Sequence, residues 1–203
     1  MGQFAFGQSV ARTEDPRLLT GRGNYVNDVN LHRQAHGFVL RSPYAHAKIL
    51  SMDTSAAEAA PGVLAVLTGA DIKADGLGTT HVTQQHKRAD GSPLFSVPHP
   101  GLVSGRVRYV GDYIAFVVAE TIAEAKDAAE LVEIEFEPLQ SITDTASAAE
   151  ADAPLVWEEC GDNISNVISQ GDKDATDAAF EKADKIIKHR FVINRISANS
   201  MEM

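Results

Sequence analysis

The side chains able to do chemistry are spread along this sequence rather than gathered into one motif. His32 and His36 lie four residues apart, the spacing that sets two imidazoles on one helix face for a metal. Their segment flanks strand-like stretches, contains Gly37 and has no third ligand nearby, so both read as surface histidines. His81, His86 and His99 fall in a stretch rich in Gly, Pro and Ser. There a role at a partner interface stands beside plain solvation. His46 has no carboxylate or nucleophile beside it and reads as a buried, hydrogen-bonded histidine. Cys160, the one cysteine, has no base in its sequence context and reads as inert packing. It also excludes an internal disulfide framework and a Cys-rich zinc site. Trp157 reads as a packing anchor at a domain boundary. Gly21-Arg22-Gly23 has the glycines of a phosphate loop, but such a loop needs a strand before it and a helix N-terminus after it. A strand-like segment follows instead, so the triplet reads as a turn.

The chain that must position these groups has 203 residues, enough for one large domain or two small ones. With 44% hydrophobic and 23% charged residues it is ordinary globular material, not a disordered chain or a coiled-coil rod. The net charge of −10 disfavours nucleic acid and anionic membranes as partners. That charge is uneven: residues 1–110 carry +3, 111–160 carry −12 and 161–203 carry −1. The acidic block is a solvated face or a docking surface. The longest apolar run, Tyr113 to Ala119, has the length of a strand and not of a membrane span. Residues 1–10 lack a basic stretch followed by an apolar one, and Phe6 removes a myristoylation context. The cytoplasm is the expected compartment.

Along the chain, an irregular arm leads to probable strands at Asn24–Val29, His36–Arg41 and Ala47–Met52. Asp53–Ala60 reads as a short helix with Ser55 and Glu58 at capping-box spacing, stopped by Pro61-Gly62. Val63–Leu67 reads as a buried strand, and residues 69–104 as a long excursion. Arg106–Val110 and Asp112–Val118 suggest a strand pair around Gly111. Thr121 and Glu124 open a helix over Ile122–Leu131, and Val132–Phe136 alternates apolar and acidic residues as a half-exposed strand does. Residues 141–155 suggest a linker, Asp174–Ala183 a helix and Lys185–Ile193 a further strand. The class is α+β or α/β, with no internal repeat.

Six segments in order carry a resemblance: Arg12–Asp28, Arg41–Ala47, Pro61–Asp71, Val107–Asp112 with Val117–Thr121, Ala128–Ile134, and Asn194–Glu202. Together they resemble the start of the large, molybdenum-binding subunit of the xanthine dehydrogenase and aldehyde oxidase family. The look is nearest to the carbon monoxide dehydrogenase-type large chain. The resemblance implies an α+β fold: an N-terminal arm over 1–17, an α/β hammerhead domain over 18–145, a linker over 146–165, and the first elements of a molybdopterin-binding domain over 166–203. It implies a molybdenum cofactor of the molybdopterin cytosine dinucleotide type, mostly held by later residues of the full subunit. Iron–sulfur clusters and FAD are expected on a small and a medium partner subunit. The family reaction is hydroxylation or oxidation of aldehydes, N-heterocycles or carbon monoxide, with water as oxygen source. Of the residues present, Glu202 matches a glutamate lining the substrate pocket in the xanthine dehydrogenase branch, where a carboxylate orients a polar heterocycle.

Three positions depart from the family pattern. Gly111-Asp112 stands where Gly-Glu is usual, Leu139-Gln140 where Leu-Pro is common, and Asn199-Ser200-Met201-Glu202 where Asn-Pro-Met-Glu is common. The family chain also continues for several hundred residues, which supply most pterin contacts and the catalytic glutamate base. The sequence is therefore expected to be part of an oxidoreductase and not catalytic by itself. The alternatives are a non-enzymatic interaction or scaffold module and an inactive truncated product.

Overall fold

Residues 1–34 and 183–203 form one unit and residues 35–182 another. The structure is a computed structural model that describes residues 12–80, 87, 91–164, 167, 170–193 and 196–198. In the first unit Pro16 lies in the opening turn of helix α1 (Asp15–Leu19), where its missing N–H breaks no helical bond. The helix ends as the N–H groups of Gly21 and Arg22 donate to the carbonyls of Leu18 and Arg17, at 3.1 and 3.0 Å. Gly21-Arg22-Gly23 is thus a helix-ending turn, as its sequence context implies.

Two expected strands are absent from this unit. Over Asn24–Val29 the chain instead makes a 3-10 turn at Val26–Asp28, in which Asp28 Oδ2 accepts the Tyr25 N–H at 2.9 Å. A local carboxylate that satisfies the backbone competes with extended pairing. Lys185–Ile193 has neither helix nor strand, and Phe191, Val192 and Ile193 are 79%, 78% and 87% exposed. A strand with no neighbour has no ladder to hold it, whatever its apolar content.

The second unit is built on two antiparallel three-stranded sheets. The first has the order β1 (His36–Arg41), β5 (Tyr113–Ala119), β3 (Val63–Thr68). The second has the order β4 (Arg106–Val107), β2 (Ala47–Asp53), β6 (Glu133–Pro138). The expected α+β class holds. The expected hairpin around Gly111 does not, because β4 pairs with β2 and β5 pairs with β1 and β3. Val110 is 65% exposed in the turn between them, so the run Arg106–Val110 is strand for two residues only.

Helices α2 (Ser55–Glu58) and α4 (Ile122–Glu130) cover one face of the first sheet. Ala125, Ala128 and Ala129 share one side of α4 and are buried with Ala57, Val117 and Ala119. Alanines at this seam let the helix lie close to the strands, while Phe38, Val63 and Val66 fill the space around them. Thr121 caps α4, its Oγ1 accepting the Glu124 N–H at 3.2 Å. At α2 the expected cap is displaced. Thr54 occupies the cap position, and the Ser55 N–H donates to Asp53 Oδ1 at 2.9 Å.

The second core gathers Ala47, Val103, Val107 and Ile114 with Ile49, Met52, Ile134 and Phe136. Ile114 belongs to β5, so the first sheet contributes to this core as well. Along β6 the apolar residues are half-buried and Glu133, Glu135 and Glu137 are exposed, the alternation read from the sequence. Lys48 Nζ pairs with Glu137 across the strands at 3.1 Å.

The long excursion opens with a helix the sequence reading missed, α3 (Gly69–Ala74). Thr68 Oγ1 accepts the Ala70 N–H at 3.2 Å, and Asp71 Oδ2 accepts the Thr68 N–H at 2.7 Å. This is a capping box built with Asp in place of Glu. The helix predicted near residue 174 forms as α5 (Lys173–Glu181), capped by Asp172.

Candidate functional site

Most of the second unit's buried polar side chains meet at one end of the two sheets. Ser42, His46 and Asp112 are its buried polar residues among those described. Ser42 follows β1 and ties two turns together: its N–H donates to the Asp112 carbonyl and its carbonyl accepts the Gly111 N–H, both at 2.8 Å. Its hydroxyl donates to the Tyr44 carbonyl at 2.9 Å and accepts the Tyr44 N–H at 3.0 Å. Gly111 has φ +92°, a left-handed conformation that glycine adopts without strain, and this turns the chain from β4 into β5. The Asp112 carboxylate fixes the turn from inside. Its Oδ2 accepts the Arg108 N–H at 3.0 Å and its Oδ1 the Tyr113 N–H at 3.1 Å.

His46, just before β2, is 8% exposed. Its Nδ1 lies 2.9 Å from the Gln140 carbonyl, while the Leu139 N–H donates to the His46 carbonyl at 2.9 Å. The ring therefore clasps the chain leaving β6, and Nδ1 carries the proton when it donates there. Nε2 is buried without a partner among the described residues. The predicted buried, hydrogen-bonded histidine is what the fold contains.

Arg108 extends from this turn toward the segment after residue 150. Its Nε donates to the Val156 carbonyl at 3.1 Å, and its guanidinium carbon lies 3.4 Å from the Trp157 ring centroid. Burial, with the neighbouring positive charge of Arg106, pulls the Arg108 guanidinium below its ordinary value. Arg106 in turn pairs with Glu158 at 3.3 Å, and the Phe95 ring packs against Trp157 at a tilt of 51°, with the centroids 5.9 Å apart. Asn163 completes the fastening. Its Nδ2 donates to the Ala148 and Pro154 carbonyls at 3.1 and 2.9 Å, and its Oδ1 accepts the Val156 N–H at 2.9 Å. The stretch 141–155, a linker by composition, is thus held at Ala148 and Pro154.

Between these groups lies a cleft of about 190 Å³ lined by His46, Arg108, Tyr109, Gln140, Thr143 and Val156. Burial and the nearby Asp112 carboxylate push the Tyr109 phenol above its ordinary value. A second hollow of about 310 Å³ lies beside α3, with Gly69, Ile72, Lys73 and Leu102 on its walls.

None of this is a nucleophile–base arrangement. His46 Nδ1 is committed to a backbone carbonyl, and Cys160 Sγ donates to Asp162 Oδ1 at 3.5 Å. Among the described residues no group of three or more His, Cys, Asp or Glu side chains could hold a metal ion. His32 and His36 do not share a helix: His32 lies in a turn and His36 starts β1. His81, His86 and Glu202 lie outside the described residues. The described residues thus present no nucleophile–base pair and no side-chain cluster for a directly ligated metal ion. What they supply is a well-tied seam. The sequence reading named Trp157 as an anchor there but missed Arg108 and Asp112, although both sit in a segment it singled out. A glycine next to an acidic residue between two strand-like runs was the available signal.

Among the described residues no helix is long and apolar enough to cross a membrane. Residues 20–140 match the family described as aldehyde oxidase and xanthine dehydrogenase, a/b hammerhead domain. The chain is 38% identical to the nicotine 6-hydroxylase large subunit of Paenarthrobacter nicotinovorans, over 97% of this chain and 23% of that protein. It is 37% identical to the carbon monoxide dehydrogenase large chain of Afipia carboxidovorans, over 94% of this chain and 24% of that protein. Among solved structures it superimposes on reconstituted CO dehydrogenase from Oligotropha carboxidovorans with a TM-score of 0.71 at 38% identity, covering 88% of this chain and 22% of the other. Quinoline 2-oxidoreductase from Pseudomonas putida 86 gives a TM-score of 0.62 at 41% identity, covering 72% and 18%. The chain thus spans about a quarter of the length of the curated relatives it matches.

Proposed function

The chain belongs to the aldehyde oxidase and xanthine dehydrogenase family, whose hammerhead domain it carries at residues 20–140, and we propose that it serves as the N-terminal part of the molybdenum-binding large subunit of a hydroxylase or dehydrogenase. The observation that carries this reading is the near-complete match of this sequence to large subunits several times its length. Residues 18–145 are the hammerhead domain, 146–165 the connection, and 166–203 the opening of the molybdopterin-binding domain. When bound, a molybdenum cofactor of the cytosine dinucleotide type supplies oxidation of the substrate with water as oxygen source. The substrate class is an N-heterocycle, an aldehyde or carbon monoxide. Iron–sulfur clusters and FAD reside on a small and a medium partner subunit, and the assembly works in the cytoplasm.

In this reading the described residues do mechanical work. The Ser42–Asp112 and His46–Gln140 bonds lock the end of the two sheets. The Arg108–Trp157 stack then fixes the direction in which the chain leaves the hammerhead. Glu202 is assigned to the substrate pocket, where its carboxylate accepts hydrogen bonds from a polar substrate. Native protein captured with an antibody to this region and analysed for molybdenum and iron tests the assignment. Both metals are expected, with molybdenum near one atom per copy of this sequence. Capture free of both metals contradicts it.

A further inference from the structure

The strands of the first sheet are apolar on both faces, yet the described helices cover only one. Through the β3–β5 register, Val63 pairs with Ala119 and Val66 with Val117 on the face beneath α2 and α4. The alternate pairs, Ala65 with Val118 and Leu67 with Phe116, lie on the other face. From β1, Gly37 joins Val118 and Val39 joins Phe116 there. The tip of the Phe116 ring lies over Gly37: a Cβ at residue 37 would come within 2.2 Å of its Cζ. Leu67 is 38% exposed, and Leu64, at the β3 bulge, is 58% exposed.

No charged side chain stands among Gly37, Val39, Ala65, Leu67, Phe116 and Val118, although the chain as a whole carries −10. A sheet with one wet face alternates apolar and polar residues. A strand that reads as a continuous apolar run is the kind buried on both faces. Val63–Leu67 and Tyr113–Ala119 are such runs, so their second face is built to be covered.

We propose that this second face of the β1–β5–β3 sheet is the docking surface for the rest of the large-subunit polypeptide, through an aliphatic and aromatic segment of it that bears no charge at the contact. The inference rests on the functional reading above. Two observations select that occupant. The relatives align with at least 94% of this chain while it spans only 23–24% of them, so their polypeptide brings about three-quarters of its length as further surface. The patch is also uncharged and core-like, the character of a permanent contact within one fold rather than of a transient encounter.

The test uses the native polypeptide with Leu67 replaced by the photo-reactive residue benzoylphenylalanine, and separately Leu64, in case one variant fails to fold. Exposed Glu133 on the other sheet serves as the control position. After irradiation the cross-linked peptides are identified by mass spectrometry. Cross-links from 67 or 64, and not from 133, to residues of the same polypeptide after 203 support the proposal. Cross-links to a second copy, to an iron–sulfur or flavin subunit, or to nothing overturn it. The intact mass of the same sample separates the two levels. A polypeptide near 21.8 kDa, with no molybdenum and no further chain captured alongside it, removes the occupant and the functional reading together. A longer polypeptide without these cross-links removes only the docking surface.

Discussion

The guanidinium of Arg108 lies 3.4 Å from the centre of the Trp157 ring, 49 positions further along the chain. The match to the hammerhead family ends at residue 140, so this contact bridges from the domain to the segment that follows it. An arginine serves here because its flat cation stacks on the indole while Nε still reaches the Val156 carbonyl at 3.1 Å.

Arg108→Lys removes the planar stack and that fixed donor but keeps the charge. The expected cost is about 1–3 kcal/mol of unfolding free energy, the sum of a part-buried cation–π contact and a hydrogen bond. Trp157 is the one tryptophan, so its fluorescence reads the site directly. A red-shifted emission maximum under native conditions is expected for Arg108→Lys, and an unchanged spectrum with unchanged stability counts against the stack as a fastening.

The buried Asp112 carboxylate satisfies two backbone donors of its turn. Asp112→Ala leaves both N–H groups without it, and urea denaturation is expected to show a loss of about 1–3 kcal/mol. Asp112→Asn keeps one acceptor oxygen and should fall between the two. Equal stability of all three proteins would show that solvent replaces the carboxylate.

Thr68 donates to Asp71 through its N–H and its hydroxyl, both at 2.7 Å, and holds that carboxyl below the usual carboxylate value. A depressed folded pKa means that the unfolded chain takes up the proton first as pH falls. The stabilisation is thus complete above the ordinary carboxylate value of about 3.9 and is lost as pH drops through the folded titration. Thr68→Val removes the hydroxyl donor. In an NMR titration of the carboxyl carbons, Asp71 is expected to shift upward in the variant. A coincident titration in both proteins would exclude the box as the cause.

Gly37→Ala places a methyl group where the Phe116 ring lies. The ring tip must swing aside, at a cost of about 0.5–1.5 kcal/mol for an off-rotamer side chain. In the Phe116→Ala background the same substitution should cost nothing measurable, because the obstacle is gone. A full double-mutant cycle by thermal unfolding checks this, and additive effects would place the strain elsewhere.

Much of the second unit was legible in the sequence because its signals are local. His36–Arg41, the alternation Val132–Phe136 and the Thr121 cap each sit where patterning puts them. Pairing partners were not legible. Gly111 reads as a hairpin turn, yet the residues on its two sides join different sheets, and only tertiary packing decides that. The helix α3 was missed because its cap uses Asp71 in the box position where Glu is the familiar sign. At the seam, His46 was readable as a buried histidine, since no carboxylate or nucleophile stands beside it in the sequence. Arg108 was not, because its partner Trp157 is supplied by a segment whose composition says only linker. The expected strand Lys185–Ile193 shows the opposite limit: its pattern is right for a strand, but a strand exists only with a neighbour.

The central claim, that this sequence is the opening of a molybdenum-binding large subunit, is tested most directly by the intact mass of the native polypeptide captured through this region. The account predicts a mass several times 21.8 kDa, with molybdenum in the same sample. A polypeptide near 21.8 kDa, with no molybdenum and no further chain captured alongside it, would contradict it.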